Sequence, residues 1–169
     1  MAYQFRKAEE DDFNDIWTIL RHAIERRRLD GSKQWQDGYP NPDSIKKDIN
    51  NGHGFVLVDG TTIAGYTAIL VNDEPAYSEI QGKWLTDGDF IVYHRVALSP
   101  DYVGKGLAKV LLGFIEEYAL QQEVYSLKAD TNFDNQAMLH LFEKLGYVYC
   151  GEVFFRGAPR KAFEKVIER

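Results

Sequence analysis

Cysteine occurs once in this chain, at Cys150, so no disulfide can form within it and the fold must be held by its core. A lone thiol also suits a reducing compartment. No apolar run approaches the roughly 20 residues that a membrane-spanning helix needs, and no signal-peptide pattern opens the chain. The cytoplasm is therefore the expected location, with no membrane partner. Proline is sparse, at five, and neither an internal repeat nor a low-complexity tract interrupts the sequence. Basic residues are the minority: 20 Lys and Arg stand against 26 Asp and Glu, a net charge of −6. A general nucleic-acid binder needs a basic face, so nucleic acid is not expected as a partner. The balance mildly favours a cationic acceptor such as an amine, although net charge says little about any one cleft. What is present is ordinary for a globular protein: 44% hydrophobic and 27% charged residues over 169 positions, enough for one domain with a sizeable core.

The most informative stretch runs from His94 to Phe114. Ile91 to Leu98 is extended and largely apolar, as in a buried strand. Ser99-Pro100-Asp101 ends it, because proline supplies no ladder donor. Gly104-Lys105-Gly106 follows, and then Leu107, Val110, Leu111, Phe114, Ile115 and Tyr118 recur at the spacing of one helix face. Strand, glycine turn and helix together aim the free amides of a helix N-terminus at one spot, where an anion is favoured. Glycine lets the backbone come close to a phosphate without a Cβ in the way. The same turn could also be a plain connector. A Walker loop would need Ser or Thr where Gly106 stands, and a dinucleotide fingerprint would need a third glycine where Lys109 stands.

Two blocks decide between these readings by resemblance. Arg95-Val-Ala-Leu-Ser-Pro with Val103-Gly-Lys-Gly-Leu-Ala-Lys-Val-Leu-Leu resembles the acetyl-CoA-binding core of the GCN5-related N-acetyltransferases. That family's (Gln/Arg)-x-x-Gly-x-(Gly/Ala) places Gly106 at the glycine and Ala108 at the last position, while Val103 departs from the usual Gln or Arg. Asn135-Gln-Ala-Met-Leu-His-Leu-Phe-Glu-Lys-Leu-Gly-Tyr147 is similar to the family's later motif. The resemblance implies an α/β fold: a mixed, mostly antiparallel sheet of six or seven strands with helices on both faces. It also implies that two neighbouring strands, 91–98 and 125–130, splay to admit the cofactor.

The remainder of the chain fits one domain over 1–169. Tyr3 to Lys7 reads as a first strand. The acids of 8–12 start a helix with Phe13, Ile16, Trp17, Leu20 and Ile24 inward, and Arg26-Arg27-Arg28 suits its end, more as solvated charge than as a polyanion site. Residues 29–42 form a loop in which Trp35 and Tyr39 either pin the loop on the core or wall a substrate. A second helix runs from Pro42 or Asp43, the expected cap, to about Asn50. Gly54–Val58 and Thr62–Val71 are a hairpin about Asp59-Gly60. Residues 72–88 are a long irregular connection carrying Tyr77, Glu79 and Trp84, and such loops tend to be functional. Val124–Ala129 is a strand, and Asp134–Leu145 a helix with Met138, Leu141, Phe142 and Leu145 on one face and Gly146 as its stop. Tyr147–Phe155 and Ala162–Ile167 form a final hairpin about Arg156–Pro159, with a short helix over 160–168 as the alternative.

The resemblance implies acetyl transfer from acetyl-CoA to a primary amine, a small amine being favoured, by direct attack on the thioester. An amine of pKa about 10.4 must lose a proton, which costs about 4–5 kcal/mol at neutral pH. His94 is the first candidate base: its ordinary pKa of about 6.5 suits the task, and strand alternation puts it on the face of Val96, with Tyr93 and Arg95 opposite. A structural, hydrogen-bonded histidine is the competing reading. Glu79 is the second candidate, against a solvated loop acid. The main chain of Val96, Ala97 and Leu98 is implied to hold the pantetheine arm and polarise the carbonyl. The amides of Val103, Gly104, Lys105, Gly106, Leu107, Ala108 and Lys109 are implied to hold the diphosphate. Asn132 and Asn135 fall on the cofactor arm, although Asn132 suits a turn equally. Phe142 stands where the family usually has an acid tyrosine; it can pack on the cofactor but cannot donate a proton, so another tyrosine or water stands in, or the thiolate leaves unaided. Trp35, Tyr39, Tyr77, Trp84 and Tyr93 are the candidate acceptor walls. No metal is called for, and a homodimer is common in the family. Two alternatives stay open: N-acetylation of a protein N-terminus or lysine, and a regulatory module that binds acyl-CoA without turning it over.

Overall fold

The computed structural model describes residues 3–168. Its strands are β1 (Tyr3–Lys7), β2 (Gly54–Asp59), β3 (Thr62–Val71), β4 (Gln81–Gly82), β5 (Ile91–Leu98), β6 (Ser126–Thr131), β7 (Val148–Phe155) and β8 (Ala158–Val166). The helices are α1 (Phe13–Leu29), α2 (Pro42–Asn50), α3 (Leu107–Gln121) and α4 (Gln136–Lys144). Pairing is mixed and mostly antiparallel, with β5 and β6 the parallel pair at Ile91↔Leu127 and Val92↔Lys128. Among the described residues there are eight strands, not six or seven. The addition is β4, which forms with a 3-10 turn over Pro75–Glu79 inside the segment expected to be irregular. The chain divides into two compact units: residues up to Ile69 with His94–Phe114, and Leu70–Tyr93 with Ile115 onward.

In the first unit β2 is apolar on both faces, and its first five residues are buried. Alternation explains this. Val56 and Val58 pack with Ile16, Ile19, Leu20 and Ala23 of α1 and Ile45 of α2, whereas Phe55 stacks on Phe5 at 5.2 Å and Phe5 on Phe114 of α3 at 5.6 Å. Helices thus cover both faces of these strands. The entry to α1 is held by Asp12, whose carboxylate accepts from Arg6 at 2.8 and 3.1 Å and from the Glu9 amide at 2.8 Å. At the far end of α1, Arg28 pairs with Glu25 and the Arg27 guanidinium lies 3.8 Å over the Trp35 ring. The cap of α2 is Asn41, one residue before the expected start: its side chain accepts from Ser44 N at 3.1 Å, and Pro42 occupies the first turn, where its missing N–H costs nothing. In α3 the spacing misassigned one position. Val110 is 37% exposed, and Leu112 and Ala119 join Leu107, Leu111 and Ile115 on the buried side.

In the second unit β6 pairs with β8 from Ser126↔Val166 to Thr131↔Lys161, and β7 with β8. The β7–β8 turn is Arg156-Gly157, both at positive φ (48° and 78°), as a tight two-residue hairpin turn requires. The last strand therefore begins at Ala158 rather than Ala162, and strand replaces the helical alternative for 160–168. Strand β6 lies two residues later than expected at each end. Helix α4 is shorter than expected because Asn135 caps it, accepting from Met138 N at 3.2 Å. It stops in a two-bond motif, Gly146 N to Glu143 O at 3.2 Å and Tyr147 N to Phe142 O at 2.9 Å, with Gly146 at φ 85°. Phe142 of α4 packs on Tyr147 at 4.9 Å and Phe163 at 4.8 Å, while Tyr77, Val92, Val153 and Ala162 form a separate cluster with Trp84, Phe90 and Phe155.

Candidate functional site

The glycine turn has the geometry an anion site needs. After β5 the chain makes a 3-10 turn at Pro100–Tyr102, held by Ser99 N to Ala64 O at 2.8 Å and by the Tyr102 hydroxyl donating to Asp59 at 2.7 Å. Gly104 and Gly106 then take φ of 80° and 74°, and a Cβ on either would meet nothing within 4 Å. Among the described residues no main-chain carbonyl accepts from the amides of Gly104, Lys105 or Gly106. Leu107, 3% exposed, anchors the start of α3, whereas Val103, Lys105 and Lys109 are exposed and Ala108 is half-buried. Exposed donors, open space and a fifteen-residue helix behind them fit the diphosphate that the sequence motif implies.

Strand β5 is not regular where alternation was applied to it. Arg95 has φ 56°, in the left-handed region, so strict alternation does not carry through it, and a shared face for His94 and Val96 does not follow from alternation alone. Long-range chemistry holds the irregularity. The Arg95 guanidinium donates to both oxygens of Asp48 in α2, at 2.9 and 2.6 Å, and to the Tyr39 hydroxyl; the Tyr66 hydroxyl donates to Asp48 at 2.6 Å. Burial works against the Arg95 charge, but Tyr39 and Asp48 outweigh it and its pKa rises. Burial, then Asp48, raises that of Tyr66 far above its ordinary value. His94 is half-buried, and its carbonyl accepts from Thr67 Oγ1 at 3.0 Å. Val96 and Leu98 are half-buried, and Ala97 belongs to the core of the first unit. Trp35 is 4% exposed beneath Arg27, a placement that supports pinning the loop; Tyr39 is tied to Arg95.

In the second unit Tyr77 and Trp84 come together, ring centroids 5.0 Å apart, and the Trp84 indole donates to the Tyr77 carbonyl at 2.9 Å. Both line a cavity of about 770 Å³. The Tyr77 hydroxyl donates to Asp130 at 2.6 Å, and Arg160 lies 3.4 Å from the same carboxylate. Tyr93 is 3% exposed and its hydroxyl donates to that of Tyr147 at 2.8 Å; burial pushes both phenols well up. Glu79 is exposed at the end of its 3-10 turn and does not line the cavity. Asn132 donates to Asp134 at 2.9 Å, as a turn residue does, and Phe142 is 1% exposed. Sequence reasoning missed Lys128, a charged residue inside the buried strand β6 that lines the cavity; a lysine within an otherwise core-facing run was the available signal.

The chain is similar to known proteins in sequence and in fold. Residues 9–147 match the model of the acetyltransferase (GNAT) family. The L-amino acid N-acyltransferase MnaT of Escherichia coli is 33% identical over 154 residues, covering 88% of this chain and 81% of that protein. A GNAT-family acetyltransferase from Streptococcus agalactiae superposes with a TM-score of 0.91 at 35% identity, over 99% of this chain and 96% of that one. At 16% identity, where only the fold is comparable, the YncA protein of Salmonella typhimurium, solved with its cofactor acetyl-CoA, gives a TM-score of 0.70 over 100% of this chain and 96% of that one. With the family model spanning most of the chain and its glycine motif set in an open turn before α3, the protein belongs to the GNAT family and is an acetyltransferase.

Proposed function

We propose that the chain transfers the acetyl group of acetyl-CoA to the primary amine of a small molecule by direct attack of the amine. The observation that carries this reading is the open turn at Gly104 and Gly106, whose exposed amides precede α3. When bound, acetyl-CoA supplies an activated thioester. The main chain of residues 103–109 holds its diphosphate, and the Val96 amide donates to the carbonyl oxygen as charge gathers there. His94 takes the amine proton, with Glu79 the weaker candidate because it is exposed. Phe142 carries no proton to give, and a thiol of pKa about 8.5 departs as a thiolate at modest cost without an acid. The 33% identical relative named for L-amino acids supports a small acceptor and puts amino acids first in any screen.

Thiol release from acetyl-CoA, followed with free amino acids, aliphatic polyamines and short peptides, tests the reading. The expected result is amine-dependent release with a small amine. Binding of acetyl-CoA with no acceptor-dependent release across the panel points instead to an acyl-CoA sensor, and release with peptides alone to a protein acceptor. His94→Ala is expected to lower kcat more than acetyl-CoA affinity; equal losses remove His94 as the base.

A further inference from the structure

The connection between β3 and β5, with β6 beneath it, walls the 770 Å³ cavity, and the chemistry of that cavity is unusual. Tyr77, Ile80, Trp84, Leu85 and Phe90 give it apolar walls. Lys128 reaches it from β6 and is only 4% exposed. In the β6–β8 register Lys128 stands opposite Glu164, so a cross-strand ion pair would be ordinary. It does not form. Glu164 is taken up by other donors: Leu85 N at 2.7 Å, Thr86 N at 3.3 Å, the Thr86 hydroxyl, and Ser126 Oγ at 2.6 Å. The Lys128 ammonium lies instead 4.2 Å from the Phe90 ring centroid and 4.5 Å from that of Trp84. Among the described residues it makes no ion pair and donates no hydrogen bond to the chain. Ring faces compensate a buried cation only in part, and an ammonium has three protons to donate.

We propose that this cavity binds a small carboxylate with an apolar body. The carboxylate takes the Lys128 ammonium, and the body lies against the apolar wall that Ile80 and Leu85 supply beside the rings. A cationic ligand is excluded because Lys128 already occupies the aromatic faces. The acids in the lining do not reverse this: Asp73 and Asp87 are exposed and screened by solvent, and Glu74 accepts from Ala76 N at the start of its own turn. Burial lowers the Lys128 pKa, with Glu164 opposing, as expected for an ammonium awaiting a counter-ion. The cavity lies wholly within the second unit, and the inference does not rest on the acetyl-transfer reading.

Titration calorimetry of the full chain with phenylacetate and 4-methylpentanoate, each against its neutral amide, tests the proposal. The acids are expected to bind at least roughly tenfold more tightly than the amides, the two-state equivalent of one new charge-assisted contact. Lys128→Met keeps the side-chain length and removes the charge; it should bind acid and amide equally and melt no lower than the wild type, since it removes a buried cation that the ring faces compensate only in part. Equal affinities in the wild type, failure of either acid to bind at millimolar concentration, or an acid preference that survives in Lys128→Met would each overturn the proposal. Should Lys128→Met not fold, the wild-type comparison alone decides.

Discussion

Gly82 of β4 and Gly151 of β7 approach so closely that a Cβ on Gly82 would stand 2.2 Å from the Cys150 carbonyl oxygen, and one on Gly151 2.3 Å from that of Gln81. Both have φ near 140°, at 142° and 141°. Together with the Lys83 N to Cys150 O bond of 2.9 Å, this contact fastens the segment that carries Trp84. Main-chain atoms on both sides cannot yield cheaply, so Gly82→Ala or Gly151→Ala is expected to cost at least about 2 kcal/mol, through backbone strain and loss of the β4 pairing. In a chain of this size that is a fall of roughly 4–8 °C in Tm, measured by thermal unfolding. A change within error would mean that the close approach is easily relaxed.

Asp48 is the anchor of the irregularity in β5. It is 5% exposed and accepts from both Arg95 and Tyr66. Asp48→Ala leaves the Arg95 charge buried without its partner and is expected to cost about 3–5 kcal/mol. Tyr66→Phe removes a single donor and should cost about 1 kcal/mol. Because these groups share one network, the Asp48→Ala/Tyr66→Phe double variant should lose less than the two single losses combined. Denaturant unfolding of the four proteins measures this, and simple additivity would show that the groups are not coupled.

What was legible in the sequence depended on how local its cause was. The bounds of β1, β3 and β5 agree with the reading to the residue; the runs of β3 and β5 stop at Asn72 and at Ser99-Pro100, and β1 gives way to the acids that start the next helix. The glycine turn before α3 was equally plain. The left-handed Arg95 was not, since its cause is Asp48, 47 positions away in the chain. Strand β4 was missed because two residues carry no periodicity; its basis is the meeting of Gly82 and Gly151. The start of β8 differs because the turn is the Arg156-Gly157 pair alone, shorter than the Arg156–Pro159 span that the sequence suggests. Within the candidate site, the turn residues emerged from their motif, whereas Lys128 was passed over although its charge sits in the middle of a buried strand.

The pair of Arg6 and Asp12 makes stability depend on pH. Hydrogen bonding from Arg6 holds the Asp12 carboxyl below its usual range, burial opposes this, and the Glu9 amide adds to the lowering. The folded state thus binds fewer protons at this group than the unfolded chain does. Its contribution is fully present above the unfolded pKa of about 3.9 and is lost as pH falls through the lower folded value. Arg6 is 40% exposed, so solvent screening keeps the pair's worth to about 1 kcal/mol. Asp12→Asn is expected to be less stable than the wild type by that amount near neutrality, with the difference shrinking below about pH 4. Urea unfolding at several pH values checks this, and a constant difference would assign the effect to the side chain's shape rather than its charge.

The assignment of residues 103–109 to the diphosphate is tested at Gly106. Its φ of 74° is unfavourable for any other residue, and a substituted alanine would strain the turn by roughly 1–2 kcal/mol without meeting a neighbour, since nothing lies within 4 Å of the Cβ position. A tryptophan carries the same backbone penalty but fills the space in front of the exposed amides. Gly106→Trp is therefore expected to fold, with Tm lowered by only a few degrees, and to lose acetyl-CoA binding in calorimetry. Gly106→Ala should retain weakened binding, because its methyl group leaves most of that space open. The order wild type, alanine, tryptophan in affinity, at nearly equal stability for the two variants, separates a blocked anion site from a damaged turn. If the tryptophan variant binds as tightly as the wild type, the diphosphate is held elsewhere and the glycine turn is only a connector between β5 and α3.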